Sequence, residues 1–161
     1  MNRRIPTRSL VALGLLFAAG GIAGCSKSEP VSPGAASAPA APAVTADLAN
    51  GRAVFNRVCA VCHQQTGVGV PGAFPPLAGS EILTAADPGI AIRIALFGLQ
   101  GPVVVGGKTF NSVMPAQGPL LKDREIADAI SYARSAWGNQ ASAVAEESVR
   151  AVRSTVKRET M

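Results

Sequence analysis

Two thiols and an imidazole occupy five consecutive positions in the stretch VCAVCHQQTG, as Cys59, Cys62 and His63, and His63 is the single histidine of the 161-residue chain. Thiols at i and i+3 on a helix end face the same side, and a histidine directly after the second is carried round the turn beside them. Three familiar uses of such a group fit poorly. A zinc site would need a second pair of ligands, and the one remaining cysteine, Cys25, lies in a different setting near the N-terminus. A thioredoxin-like C-x-x-C needs a βαβ context that the chain does not offer. A disulfide across two intervening residues closes a tight, strained loop and leaves His63 unexplained. C-x-x-C-H is instead the attachment signature for c-type haem: each S–H adds across one vinyl group to form a thioether, and the histidine binds the iron.

Four positions of such an iron belong to the porphyrin and one to His63, so a sixth must be filled or left open. The absence of a second histidine excludes a bis-histidine centre within the chain, leaving methionine, lysine or an open position. Met1 falls in a leader and Met161 is the last residue of a charged tail. Met114 stands in NSVMPAQG, where Pro115 fixes the following backbone direction in a loop between two helices. It is the candidate sixth ligand; the alternative is a methionine that fills core.

The elements that must position these residues begin at Asp47. DLANGRAVFNRVCAVCH spaces Leu48, Val54 or Phe55, Val58 and Cys62 as a helix, capped by Asp47 and running into the cysteines. QQTGVGVPGAFPPLAGS has the glycines and prolines of a loop. DPGIAIRIALFG predicts a short helix with Pro88 in its first turn, Ile90, Ile94 and Phe97 as apolar positions, and Gly98 as its stop. LQGPVVVGGKTFNSVMPAQG is a further Gly-rich connection, whose VVV suits a strand but finds no convincing partner elsewhere in the chain. DREIADAISYARSAWGN gives the clearest helix, with Asp123 as cap, Ile126, Ile130, Ala133 and Trp137 recurring at i, i+4, i+7 and i+11, and Gly138 as stop. From Ser142 to about Lys157 an amphipathic stretch carries Val149, Val152 and Val156 on one side, with Arg150, Arg153 and Lys157 facing water. Three to four short helices joined by long loops make an all-α domain with too little core of its own, and a large apolar group would supply the rest.

Ahead of this domain, Met1–Ser9 carries Arg3, Arg4 and Arg8 without an acid, and LVALGLLFAAGGI follows as an apolar run too short to span a bilayer. This is the layout of an export signal over residues 1–24, as thioether attachment outside the bacterial cytoplasm would require. The signal ends in IAGC, which resembles a lipobox with Cys25 as the lipidated residue. Residues 25–46, rich in Pro, Ala and Ser, predict a disordered tether. Residues 47–140 form the folded domain and 141–161 a C-terminal amphipathic charged helix or tail. Of the fifteen basic side chains, Arg3, Arg4 and Arg8 belong to the leader, which leaves twelve against ten acidic ones. The basic surplus is therefore no sign of nucleic-acid binding.

From Asp47 to about Asn139 the chain resembles the small monohaem class I cytochromes c. The resemblance rests on Gly51 and Phe55, the Cys59-Cys62-His63 motif, PPLAGS, GLQGPVVVGGKTFNSVMPAQG and ISYARSAWGN. It implies the all-α class I fold wrapped around one covalent haem c. It also implies first and last helices crossing at Gly51, with Phe55, Tyr132 and Trp137 packed about the crossing. In that family a proline carbonyl holds the ligand histidine's second ring nitrogen, a role for which Pro75 or Pro76 is placed. Lys122 departs from the family, standing where many relatives have a capping Ser or Thr, and so does the tail after Asn139. Arg93 and Lys108 are candidate partners of the haem propionates, against the reading of solvated surface charges.

His/Met ligation leaves no position for a substrate, so the expected activity is single-electron transfer in a bacterial cell envelope. The partners would be a dehydrogenase or quinol-oxidising donor and an oxidase or reductase acceptor, with the membrane engaged through the lipid anchor. The alternative is a permanent haem subunit of a multi-subunit dehydrogenase or reductase. A haem enzyme or gas sensor is disfavoured because the sole histidine leaves no distal acid–base pair.

Overall fold

A computed structural model describes residues 44–159. The export signal, the lipobox with Cys25, and the tether up to residue 43 lie outside the described residues, as does Met161.

The first helix begins as expected. Asp47 accepts a hydrogen bond from the Asn50 N–H (2.9 Å) and starts α1, Leu48–Val54. The helix then widens into a π-helical turn, Phe55–Cys59, before a last α-helical turn, α2, Ala60–His63. The π turn contributes one extra residue to the helical path, which rotates everything after it relative to α1.

The loop after His63 is longer in sequence than in space, because Gly67 O accepts from both Leu77 N–H (2.7 Å) and Ala78 N–H (2.9 Å). Ser80 then caps a four-residue helix, α3, Glu81–Thr84, too short for its periodicity to register in the sequence. α4, Gly89–Phe97, follows Pro88 and ends at Gly98 as predicted. Its buried residues are Ile92 and Leu96, whereas Ile90 is 62% exposed and Phe97 is turned partly outward. In a helix as uniformly apolar as GIAIRIALF, periodicity does not identify the buried side.

The VVV segment does find a partner, two residues downstream. β1, Val103–Val105, pairs antiparallel with β2, Lys108–Phe110, in the register Val103 to Phe110 and Val105 to Lys108. The turn is Gly106–Gly107 with φ of 57° and 72°, the pair of positive values a tight hairpin requires. The fold is thus predominantly helical with one small hairpin.

α5, Asp123–Ser135, has Lys122 rather than Asp123 at its N-cap, and the Glu125 carboxylate accepts the Lys122 N–H (3.0 Å). Asp123, the first residue within the helix, accepts instead from Arg153 Nε at 2.6 Å. The helix stops at Ser135, so Trp137 lies beyond it at φ 54° instead of continuing the apolar face. α6, Glu146–Glu159, starts later than expected. Val144 and Val149 share one core cluster with Phe55, Leu96 and Ile130, so the packed domain continues past residue 140. Arg153 does not face water either: it donates to Gly118 O (2.7 Å) and Leu121 O (3.1 Å) as well as to Asp123.

α1 crosses α5 at Gly51, where a Cβ would stand 2.1 Å from Asp128 O, so only glycine permits the approach. Phe55, Tyr132 and Trp137 pack around the crossing with ring centroids 5.1–5.6 Å apart. Asp128, 2% exposed, accepts from Asp47 N–H, Asn50 Nδ2 and Arg124 Nε, which joins the start of α1 to the middle of α5. Among the described residues no helix is long and apolar enough to cross a membrane.

Candidate functional site

A cleft of roughly 1190 Å³, counting its open mouth, runs into the domain between α2, α4, α5 and the hairpin. Among the described residues no Asp, Glu, Lys or Arg lines it. The walls are mostly aliphatic and aromatic, with Ile94 of α4, Phe110 of β2 and Ile130 of α5 among them and Ser80, Ser112 and Gln117 as uncharged polar exceptions. Such a lining excludes a charged or strongly hydrogen-bonding ligand core and suits a large apolar one.

Within these walls the donor atoms are few and soft. Cys59 and Cys62 both line the cleft as free, half-buried thiols. Burial, and secondarily the neighbouring Cys62, pushes the Cys59 thiol up to about 11, so it stays protonated at neutral pH. His63 lines the cleft at 8% exposure, with Nδ1 3.0 Å from Pro75 O. A carbonyl can only accept, so Nδ1 carries the proton and Nε2 keeps its lone pair. Burial lowers the His63 pKa, against the opposing effect of the Pro75 hydrogen bond, and so favours the neutral ring that a metal requires. Immediately afterwards Gln64 takes φ 62°, ψ 155°, a conformation that non-glycine residues rarely adopt and that ends α2 abruptly.

Met114 reaches the same cleft from the loop after the hairpin. Its backbone is fixed by two hydrogen bonds exchanged with Leu99, Leu99 N–H to Met114 O (2.9 Å) and Met114 N–H to Leu99 O (3.0 Å). The cleft therefore assembles Cys59, Cys62, His63, Met114, Pro75 and Pro76. Of the two prolines it is Pro75 whose carbonyl meets His63. Arg93 and Lys108 are exposed, on α4 and at the start of β2, and neither lines the cleft.

Several residues that support the site carry no signal in the sequence. Arg134, 1% exposed, pairs with no carboxylate among the described residues and donates to the carbonyls of Leu83, Ala85 (2.9 Å) and Ser142 (2.7 Å). Asn139, also buried, accepts from Gly79 N–H (2.8 Å) and donates to Leu77 O (3.1 Å) and Ala133 O (2.8 Å). Leu77, Leu83 and Ala133 all line the cleft, so these two polar side chains brace its wall from behind. Trp137 Nε1 donates to Gln65 O (3.0 Å), and a Cβ on Gly67 would meet the Trp137 ring at 2.4 Å.

A profile of the cytochrome c family matches residues 48–137. The chain belongs to the cytochrome c family. It is 49% identical over 85 residues to a cytochrome c-552 of Thermus thermophilus, a match covering 50% of this chain and 63% of that protein. It is 36% identical over 90 residues to a cytochrome c-555 of Prosthecochloris aestuarii, covering 53% of this chain and 84% of that protein. A third relative is the cytochrome c subunit of a quinone-dependent alcohol dehydrogenase from Gluconobacter oxydans, 35% identical over 91 residues, which are 56% of this chain but only 19% of that much longer protein. The chain thus spans less than two thirds of the Thermus and Gluconobacter relatives. Cytochromes c carry haem c, with its iron, covalently bound. The residues here fit that group: a charge-free cleft holds a thiol pair, a histidine with Nδ1 already committed, and a thioether.

Proposed function

We propose that this protein is a class I, monohaem cytochrome c that passes single electrons in a bacterial cell envelope. Haem c supplies a one-electron Fe(III)/Fe(II) couple when bound. In this reading Cys59 and Cys62 hold it through thioethers, and His63 and Met114 ligate its iron. The observation that carries the reading is the convergence of these four side chains on one cleft without charged residues. Pro75 keeps the His63 tautomer and ring orientation fixed, which strengthens Nε2 as a donor. The apolar walls exclude water, which favours the less charged state and raises the potential, and the Met114 thioether favours Fe(II) in the same direction. His63, held at Nδ1 by Pro75, and Met114, whose backbone is held by Leu99, would keep rearrangement between the two charge states small.

Residues 1–24 serve as the export signal, Cys25 as the lipid attachment point, and residues 25–46 as the tether that lets the domain reach its partners. Cys25→Ser is expected to move the haem-loaded protein from the membrane to the soluble fraction. A wild type that is itself soluble after export would refute the anchor.

Replacing the sixth ligand tests the electron-transfer reading. Met114→Ala is expected to retain covalent haem, lose the weak far-red sulfur-to-ferric-iron band, show a lower potential and bind carbon monoxide in the ferrous state. The wild type should be low-spin in both redox states and resist carbon monoxide near neutral pH. A wild type that binds carbon monoxide promptly and lacks the band would replace the shuttle with a sensor or enzyme.

A permanent haem subunit of a dehydrogenase is the second reading, favoured by the likeness to the alcohol dehydrogenase cytochrome c subunit. Co-purification of a dehydrogenase partner from detergent-solubilised membranes would select it over the free shuttle.

A further inference from the structure

The segment that carries Met114 is seated on the C-terminal end of α4 and the residues just after it by four backbone hydrogen bonds. Leu99 and Met114 exchange two of them, Gln117 N–H donates to Ala95 O (2.9 Å), and Gly118 N–H donates to Leu96 O (3.0 Å). The last carbonyls of a helix have no partner within it, so a strand laid across the end satisfies them and is in turn held by them. The seat requires the two backbones to come unusually close at one point. Gly98, the residue that terminates α4, has φ 77° and ψ −175°, a region essentially reserved for glycine. A Cβ there would stand 2.4 Å from Met114 O, 2.9 Å from Ala116 N and 3.2 Å from the Pro115 carbonyl carbon. All three are backbone atoms, which cannot rotate away as a side chain would.

We propose that Gly98 is a positioning residue for Met114: its missing Cβ sets how deeply the Met114–Pro115 backbone sits against α4, and hence whether the thioether reaches the iron. The proposal rests on the reading of Met114 as the sixth ligand. Two features separate this role from ordinary helix termination. A glycine is needed to stop α4 at positive φ wherever the chain goes next, but the contact with the Met114 carbonyl exists only at this site. Gly118, on the seated segment itself, repeats the pattern from the other side, since a Cβ on it would meet Leu96 O at 2.7 Å.

The molecule contains its own controls. Gly72 (φ 75°) and Gly101 (φ 96°) also lie at positive φ, and a Cβ on either would have nothing within 4 Å. Alanine at these positions imposes backbone strain without touching Met114. The experiment uses holoprotein with covalent haem verified by mass, and reads the far-red sulfur-to-ferric-iron band and the affinity of the ferric protein for added imidazole. Gly98→Ala is expected to diminish or abolish the band and to raise imidazole affinity about tenfold or more. Gly72→Ala and Gly101→Ala are expected to lower the melting temperature while leaving both readouts at wild-type values. Should Gly98→Ala fail to fold, Gly118→Ala tests the same seat, with a smaller shift in the same direction.

A Gly98→Ala protein with an intact band and wild-type imidazole affinity overturns the proposal. So does loss of the band in the two control variants to the same extent, because strain alone would then suffice. Where Gly98→Ala does not fold, an unchanged Gly118→Ala protein overturns it. A wild type without the band, in which Met114→Ala changes nothing, refutes the ligand reading itself and the inference with it. The wild-type spectrum thus distinguishes the two failures.

Discussion

The face of α5 that meets α1 and the face that lines the cleft differ in what completes them. Against α1 the chain supplies everything: Gly51 lets the backbones touch, Asp128 satisfies three donors, and Phe55, Tyr132 and Trp137 fill the space around the crossing. Towards the cleft, Ile126, Ala129, Ile130 and Ala133 share a wall with residues from α4 and the hairpin that the chain arranges around a ligand-sized space. The first face is specified by close contact and hydrogen bonds. The second is specified by shape, the lack of charge and a few soft donor atoms, and its apolar burial depends on the bound group.

The largest effect should come from removing covalent attachment. Cys59→Ser/Cys62→Ser protein is expected to lose its cooperative thermal transition and most amide protection in the loops and hairpin that wall the cleft. A double variant with wild-type helix content and a cooperative melt would mean that the two faces are equally self-sufficient. Gly51→Ala strikes the other face. With a Cβ 2.1 Å from Asp128 O, the crossing must open, and the holoprotein should lose about 2–3 kcal/mol in denaturant unfolding while keeping its haem content and far-red band. Unchanged stability would show that the crossing can be relaxed at little cost. The smallest effect belongs to Ser80→Ala. Its hydroxyl accepts the Leu83 N–H at 3.4 Å to cap a single turn, so about 0.5–1 kcal/mol should be lost, with protection reduced only around α3. A loss as large as that of Gly51→Ala would show that the cleft wall depends on its caps as much as on its filling.

These two faces were not equally legible in the sequence. The donor set was plain, because Cys59, Cys62 and His63 form a motif with one dominant chemistry and the chain offers few other methionines. The structure gathers those residues and Met114 into one cleft, as well as the aromatic cluster at Gly51 that the family resemblance implied. The cap by Asp47 and the stop at Gly98 followed from local chemistry, which short sequence windows carry well. The hairpin is hard to read although VVVGGKTF contains its turn, because each strand is only three residues long, too short for alternation to register. The π turn has no comparable signature, and α3, four residues long, barely exceeds one helical turn. Trp137 continued the spacing of α5 on paper, but the chain leaves the helix after Ser135 and turns the ring back over Gly67. Arg134, Asp128, Asn139 and Arg153 belong to residue types that usually face water, and only the carbonyls and donors gathered around them in three dimensions reveal their burial.

The crossing of α1 with α5 also fixes an order of events. Asp47 and Asp128 are hydrogen-bonded across 81 positions of sequence, and such a contact cannot form before the distant segment exists and its loop has closed. A chain that emerges with its N-terminus first therefore presents Cys59 and Cys62 well before α5 arrives to complete the core beside them. In that interval both thiols are open to chemistry that the folded domain, where each is half-buried, would restrict.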